Sequence, residues 1–518
     1  MQSKTKTVKA KVVHNFGRED ELDVEALRRL ARSIARYLGP EEDLRLQAEQ
    51  SGLRFLSSRP VGGAWLLNEL WHRLEIGSAV REHCGSGVER LIFAMVANRA
   101  LAPKSKLAVE EWSKYEAYLP GVAEIAVHQL YRAMDVLLDK ADLIQREIFS
   151  RVARSLFLEV DLLFFDTTST YFETDEEDPE TGRLTLRKRG HSKDHRPDLP
   201  QVLIGLAVTR EGIPIRCWVW PGNTLDMEVI PQVKKDLTDW RLGRVITVLD
   251  RGFMSEDNLP ELQKAGGHYI IGERMRSGKP HVEEALSRRG RYREIRENLQ
   301  VKEIEIGDGE RRIRYILARN PLEAERQRRL REKALEELRA ELRKEPSAKR
   351  ICELVAHQTY GRYLKLGANG KVEIDPEKVR QEERLDGKYL IRTSDDTLTA
   401  ADVALGYKQL LEVEDAFRTL KTHLELRPVY HRLSDRIRAH VLLCWMALLL
   451  VRVAEVEAET TWPRLRDILQ RIHAGEMVGS AGRFVQRTEI TAEQKAVFKV
   501  LKVAEPPLVL EAEAEKRT

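Results

Sequence analysis

The sequence predicts an α/β protein with a mixed-sheet core, interrupted by an insertion and preceded by a helical domain. Three observations carry this expectation. Residues 61–156 keep an apolar period of 3.6 throughout. At about Leu158 that pattern gives way to short apolar, β-branched runs bounded by turn residues. Between about Met275 and Asp396 the core pattern stops, and helical periodicity returns after it. At 518 residues the chain exceeds one compact core, so three or more folding units are expected.

Taken in order, residues 7–15 are expected to form a short strand within an N-terminal segment, 1–60. Asp23 is placed to cap a basic amphipathic helix from Val24 to about Leu38. In 61–156, helices are marked by Ala64-Trp65-Leu66-Leu67-x-x-Leu70-Trp71-x-x-Leu74, Val88-x-x-Leu91-Ile92-x-x-Met95-Val96 and Val127-x-x-Leu130-Tyr131-x-x-Met134. Such a domain is either a nucleic-acid-binding module or a structural bundle, and periodicity alone does not choose between them. From 157 to 274, Leu158–Phe172, Gln201–Thr209 and Ile213–Trp220 read as strands, with Glu211-Gly212 turning the second into the third. A helix from about Asp226 to Leu237, strand Val245–Leu249, a helix from Ser255 and strand His268–Gly272 follow.

The order β-β-β-α-β-α-β matches an RNase H-like core. There the first and fourth strands lie side by side and bring Asp166 and Asp250 together, at the end of the sheet where α/β sites gather. The insertion, 275–398, holds strand-like Leu299–Ala318 and Tyr363–Ile374 on either side of a Glu/Arg/Leu-rich helix, Leu322–Lys344, whose charges read as a solvated face. The core resumes at about Thr399 and runs to 485. The last segment, 486–518, is expected to fray after Pro506.

Composition excludes several classes. Lys and Arg number 87 against 83 Asp and Glu, and a net charge of +4 argues for no partner by itself. Cys84, Cys217, Cys352 and Cys444 stand far apart without metal-site spacing, so neither a zinc site nor a disulfide framework is expected, and a reducing cytoplasm fits. The start Met-Gln-Ser-Lys-Thr-Lys lacks the apolar stretch of a signal peptide. The longest apolar run, Val441 to Val451, is shorter than the ~20 residues of a membrane span and is expected to be a buried helix, with no membrane partner.

Three acidic residues stand out. Asp166 ends the run Leu162-Leu163-Phe164-Phe165, Asp250 ends Val245-Ile246-Thr247-Val248-Leu249, and Glu414 lies in Tyr407-x-x-Leu410-x-x-x-Glu414-x-x-Phe417-Arg418-x-x-Lys421. Carboxylates at two strand ends and one from a distant helix suit hard divalent cations, which can clamp the attacking and leaving oxygens of a phosphodiester. The alternative for each aspartate is a turn or cap residue. Leu410, Leu411, Phe417 and Leu420 place Glu414 on or beside a core-facing stripe, where it must be bound to metal or paired, with Arg418 the nearest structural partner. Tyr407, Glu414 and Lys421 are spaced by seven and are expected on one face of a single helix, about 21 Å end to end. There Tyr407 and Lys421 would hold phosphates while Glu414 holds metal.

This helix resembles that of the bacterial insertion-sequence transposases of the DDE superfamily, in the branch whose signature is Tyr, two residues, Arg, three residues, Glu, six residues, Lys. Tyr407, Glu414 and Lys421 match, while Leu410 stands at the arginine position and Arg418 is the available substitute. Further matching stretches are Asp166-Thr167-Thr168-Ser169, Gly190-His191-Ser192-Lys193-Asp194-x-Arg196-Pro197-Asp198, Pro221-Gly222-Asn223-Thr224-x-Asp226, Asp250-Arg251-Gly252 and Leu426-Arg427-Pro428-Val429-Tyr430-His431. The resemblance covers about residues 155–275 and 395–450.

It implies an enzyme that binds insertion-sequence ends, cuts a phosphodiester there and passes the freed 3′-OH to target DNA. Asp166, Asp250 and Glu414 would hold two Mg²⁺ ions, with Mn²⁺ as a substitute. Double-stranded DNA is the partner, bound by a homodimer at paired ends in the bacterial cytoplasm and on the nucleoid. A nuclease that cuts without joining and a catalytically silent DNA-binding descendant are the alternatives. The basic run from Arg183 to Arg196 is by itself a solvated loop. Its place near the active site in the family points to Lys193 and Arg196 as DNA contacts, alongside Tyr407, Arg418 and Lys421. Trp218 and Trp220 share one face of a strand and are expected in the core.

Overall fold

The computed structural model describes residues 23–38, 52–158, 160–179, 185–238, 240, 245–309, 312–344, 346–367, 371–479 and 482–514. The strand expected at 7–15 and Arg183 lie outside them. The chain divides into two units, Met1–Pro60 with Ile472–Ile490 and Pro506–Thr518, and Val61–Arg471 with Thr491–Glu505.

The smaller unit holds α1 (Val24–Leu38), capped by the Asp23 carboxylate, which accepts the Ala26 N–H at 3.0 Å. Its antiparallel sheet places β1 (Arg54–Pro60) beside His473–Gly479, then Gly482–Arg487, then Val509–Ala514. The segment expected to fray is therefore ordered as a strand through Ala514, because pairing satisfies backbone groups that Gly482–Arg487 would otherwise leave open along its edge.

The larger unit begins with helices α2 (Gly62–Arg73), α3 (Ile76–Cys84), α4 (Ser86–Leu101), α5 (Lys106–Glu111), α6 (Val127–Asp139) and α7 (Ala141–Ser155). The sheet follows. Strands β2 (Leu162–Tyr171), β3 (Gln201–Val208) and β4 (Pro214–Pro221) form an antiparallel meander. A turn of 3₁₀ helix at Asp226–Glu228 leads into α8 (Ile230–Thr238), and β5 (Ile246–Leu249) then runs parallel to β2. Next come α9 (Asn258–Gln263) and β6 (His268–Glu273), parallel to β5. The spatial order β4-β3-β2-β5-β6, with β3 antiparallel to its neighbours, is the RNase H-like arrangement. Trp218 and Trp220 sit in its core, their rings parallel at 6.1 Å and their indole N–H groups donated to Asp236 and Gln232.

The intervening segment extends this same sheet. After α10 (Pro280–Ser287) come β7 (Arg293–Arg296), β8 (Leu299–Ile306) and β9 (Ile313–Arg319), so the stretch expected as one strand is a hairpin. The charged helix α11 (Pro321–Arg343) and α12 (Ala348–Ala356) pack over a second hairpin, β10 (Leu364–Leu366) with β11 (Val372–Ile374). After α13 (Pro376–Glu383), β12 (Lys388–Thr393) pairs with β6 on one side and β9 on the other, giving a nine-stranded sheet.

The chain then forms α14 (Ala400–Lys408), α15 (Leu411–Thr422), α16 (Ser434–Ala458), α17 (Trp462–Leu469) and, after the return of the chain, α18 (Ala492–Val500). Helix α16 is 25 residues long, well beyond the expected apolar run, and by length and composition it is long enough to cross a membrane. It is apolar on every side because it is enclosed, packed against α4, α6 and β4, with every residue from Ala439 to Val451 buried.

Candidate active site

Parallel pairing sets the first two carboxylates. Phe165 on β2 stands opposite Leu249 on β5, so the next residues, Asp166 and Asp250, are neighbours across the strands. Asp166 lies mid-strand, since β2 continues to Tyr171 against β3, which removes the turn reading. Its Oδ1 accepts the Thr167 N–H at 2.7 Å. Asp250 precedes a 3₁₀ turn at Arg251–Phe253 but its side chain makes no capping bond. Both aspartates line a cavity of about 320 Å³ together with Glu414, Tyr407, Leu410 and Leu411 from the helical segment and Tyr389 from β12.

Glu414 lies beside the core-facing stripe, as expected, but it is not paired with Arg418 and does not share one helix with Tyr407. It is exposed, and among the described residues no cation or hydrogen-bond donor pairs with it. Arg418 pairs instead with Asp415 at 2.6 Å. The buried face of α15 is Val413, Ala416, Phe417 and Leu420, a stripe of three- and four-residue spacing that leaves Glu414 one position off the core. Nor do Tyr407, Glu414 and Lys421 share one helix. Tyr407 lies in the last turn of α14, and the chain tightens at Gln409-Leu410, where the Leu410 and Val413 N–H groups reach back only three residues, to Tyr407 and Leu410.

Tyr407 reaches across the cavity to the strand aspartates. Its hydroxyl donates to Asp250 Oδ1 at 3.0 Å, and burial followed by the Asp250 charge holds that phenol well above its usual range, so it remains a donor. The ring stacks on Tyr389 with centroids 5.9 Å apart, and burial pushes the Tyr389 hydroxyl up to about 12. No sequence signal marked Tyr389, which sits in an ordinary-looking strand.

Lys193 points at the strand rather than outward. Its ammonium donates to the Thr167 carbonyl and hydroxyl, both at 2.7 Å, and stands 3.3 Å from Asp226 and 3.7 Å from Asp166. The Thr167 hydroxyl in turn donates to Asp226, a residue legible only as part of the Pro221–Asp226 stretch. Lys421 pairs with Asp194 at 2.9 Å, and Arg427 approaches the same carboxylate at 3.3 Å. Arg196 pairs with Asp198 at 2.7 Å, and its guanidinium and that of Arg427 both lie over Tyr171.

Burial pushes the Asp166 carboxyl up to about 6. Lys193 and the Thr167 N–H oppose the shift, and the charges of Asp226 and Asp250 add to it. Asp166 and Asp226 share the Lys193 ammonium and Asp250 adds its charge nearby, and acidic oxygens of this kind suit a hard cation. The spacing is open, however. Among the described residues no three His, Cys, Asp or Glu stand close enough to hold a metal, so Glu414 lines the cavity without joining the aspartates in one cluster.

At Asp166, a folded-state value above the usual 3.8 means the folded protein holds this proton more tightly, so the group favours folding below about pH 4 and that advantage is lost as pH rises through about 6. In metal-free protein, Asp166→Asn is therefore expected to be more stable than the parent at neutral pH by roughly 1–3 kcal/mol. The gap should close toward about pH 4, and denaturant titrations at several pH values measure it; a gap that does not change with pH would dismiss the shift.

An RNase H-like sheet with paired aspartates on its adjacent parallel strands defines the class. A family model described as Transposase DDE domain matches residues 166–450, more than half of the chain, and the chain belongs to that family. No curated protein matches it. Among solved structures it is similar to a piggyBac transposase synaptic complex with hairpin DNA seen by cryo-EM, at 10% identity and a TM-score of 0.37, covering 78% of this chain and 79% of that one.

Proposed function

We propose that this transposase acts on insertion-sequence ends as a member of the Tyr-Arg-Glu-Lys branch, cutting a phosphodiester and transferring the freed 3′-OH to target DNA. The observation that carries the reading is the shared cavity: Asp166 and Asp250 from adjacent strands line it together with Glu414 from a helix more than 150 residues further on. These three would hold Mg²⁺, as two ions with Mn²⁺ as a substitute. A divalent cation bound there supplies Lewis acidity to the phosphodiester and lowers the pKa of an attacking water.

The chain's own residues orient this site. The Tyr407 hydroxyl fixes Asp250 through its Oδ1, and Lys193 holds the backbone and side chain of Thr167, beside Asp166. Lys421 and Arg427, gathered on Asp194, are the cations best placed to exchange a carboxylate for a DNA phosphate. With Asp194 already holding it, Lys421 contributes to DNA binding only after that exchange. Lys421→Ala is expected to lower the slope of log K against log salt by roughly one, measured by fluorescence anisotropy on end DNA. An unchanged slope with cleavage lost would move Lys421 into the chemistry.

The deciding experiment incubates the full chain with end-containing duplex and Mg²⁺ and resolves the products on a gel. Cleavage with strand-transfer product is the expected result. Cleavage without joining would favour the nuclease alternative, and end binding without cleavage in either Mg²⁺ or Mn²⁺ would favour the silent one. One active site per end implies two chains on a paired complex. Light scattering is expected to show a dimer on end DNA, and a complex with one chain per cleaved pair of ends would sink that assembly.

A further inference from the structure

Beneath the segment that joins α15 to α16, three basic side chains lie in the interior, with the half-buried His431 beside them. Arg99 of α4 donates to the carbonyls of Leu424 at 3.4 Å and Glu425 at 3.1 Å, and to that of Lys104 at 3.0 Å. His440 of α16 places Nε2 3.3 Å from the next carbonyl, Leu426, so the two side chains grip three successive residues. The His431 ring lies 5.6 Å from that of His440. Lys106 opens α5, two residues after the Lys104 that Arg99 holds, and is 3% exposed. Arg99 and His440 are as deeply buried.

Among the described residues no carboxylate pairs with Lys106, Arg99, His431 or His440. Three of their buried nitrogens lack a partner: Lys106 Nζ, Arg99 Nε and His440 Nδ1. The first two are donors, whereas burial and the nearby Arg99 and Lys106 hold the His440 ring well below its usual range, so its Nε2–H serves the Leu426 carbonyl and its Nδ1 is an acceptor. Burial, reinforced by Arg99, pulls the Lys106 ammonium down to about 7, so shedding that proton relieves part of the strain. Arg99 has no such escape, because a guanidinium keeps its charge in proteins. An uncompensated buried cation is strongly unfavourable, and orphaned donors in a packed interior call for an acceptor.

We propose that Lys106 and Arg99 form a binding site for a small inorganic anion of the chloride or phosphate class. The site owes nothing to the transposase reading. His431, at the rim of the cluster, also lines a cleft of about 1020 Å³ shared with Lys421 and Arg427. The bound anion would fasten residues 424–431, the link between the helix carrying Glu414 and the buried α16.

The test is thermal unfolding of the full chain at fixed ionic strength in chloride, phosphate or gluconate, beside the Lys106→Met variant. The parent is expected to gain about 3 °C in saturating chloride or phosphate over gluconate, and the variant to show no such gain. A gain in phosphate alone assigns an oxyanion, and a gain in both assigns a site open to halide. Parallel shifts in parent and variant would mean a bulk salt effect and overturn the site. Should the variant fail to fold, calorimetric titration of chloride and phosphate into the parent decides, and the absence of binding in both overturns it.

Discussion

Glu414→Ala is expected to lower Mg²⁺-dependent cleavage on the order of a thousandfold or more while leaving stability and end binding near the parent's, because several kcal/mol of charge stabilisation is lost with the cation. Asp166→Ala and Asp250→Ala should do the same. Glu414 is the most discriminating of the three. It is exposed, has no partner among the described residues, and lies outside any cluster of three ligands, so its removal perturbs nothing structural. Cleavage assays with matched urea titrations give both readouts. A Glu414→Ala protein that cleaves normally would reduce the site to the two aspartates.

Gly272→Ala carries the next largest expected effect. Gly272 follows Ile271, which stands opposite Leu249, so it lies beside Asp250 across the β5–β6 pair. A Cβ there would come 2.2 Å from the Tyr407 hydroxyl oxygen, and no real structure accommodates that approach without displacing the ring. The variant is expected to break the Tyr407–Asp250 hydrogen bond and lower cleavage roughly ten- to a hundredfold, as misplacement of a positioning group does. Overpacking should also remove about 1–3 kcal/mol of stability. Tyr407→Phe in the same chain deletes the atom in closest conflict, so a double-mutant cycle should show that part of the stability loss is recovered. If Gly272→Ala matched the parent in melting and cleavage, Tyr407 would not be seated over this glycine.

Both predictions rest on a site that was half legible in the sequence. The runs ending at Asp166 and Asp250 identified two adjacent buried strands, and their parallel register brings the two aspartates together. In the sequence Leu410 and Leu411 read as part of the apolar stripe beside Glu414, but neither is buried. Leu410 sits in the tightened turn between α14 and α15, and Leu411, the first residue of α15, is 58% exposed. No glycine or proline marks that turn. The contact of Tyr407 with Asp250, across 157 positions, and the room left by Gly272 were equally invisible.

The sequence by itself determined the switch from helices to strands, the β-β-β-α-β-α-β order and the pairing of two strand aspartates, because hydrophobic period and turn residues are local properties. Only the tertiary structure decided what lies beside them. It joined β12 to the free edge of β6, and so brought Tyr389 into the cavity and extended one sheet to nine strands. It also paired Lys421 with Asp194 across 227 positions and turned Lys193 inward, so that cations expected to face DNA are held by carboxylates of their own chain. The reason is the same in each case. Edge pairing, side-chain stacking and ion pairs are settled by which distant segments come within a few ångströms, and no local pattern in the sequence encodes that choice.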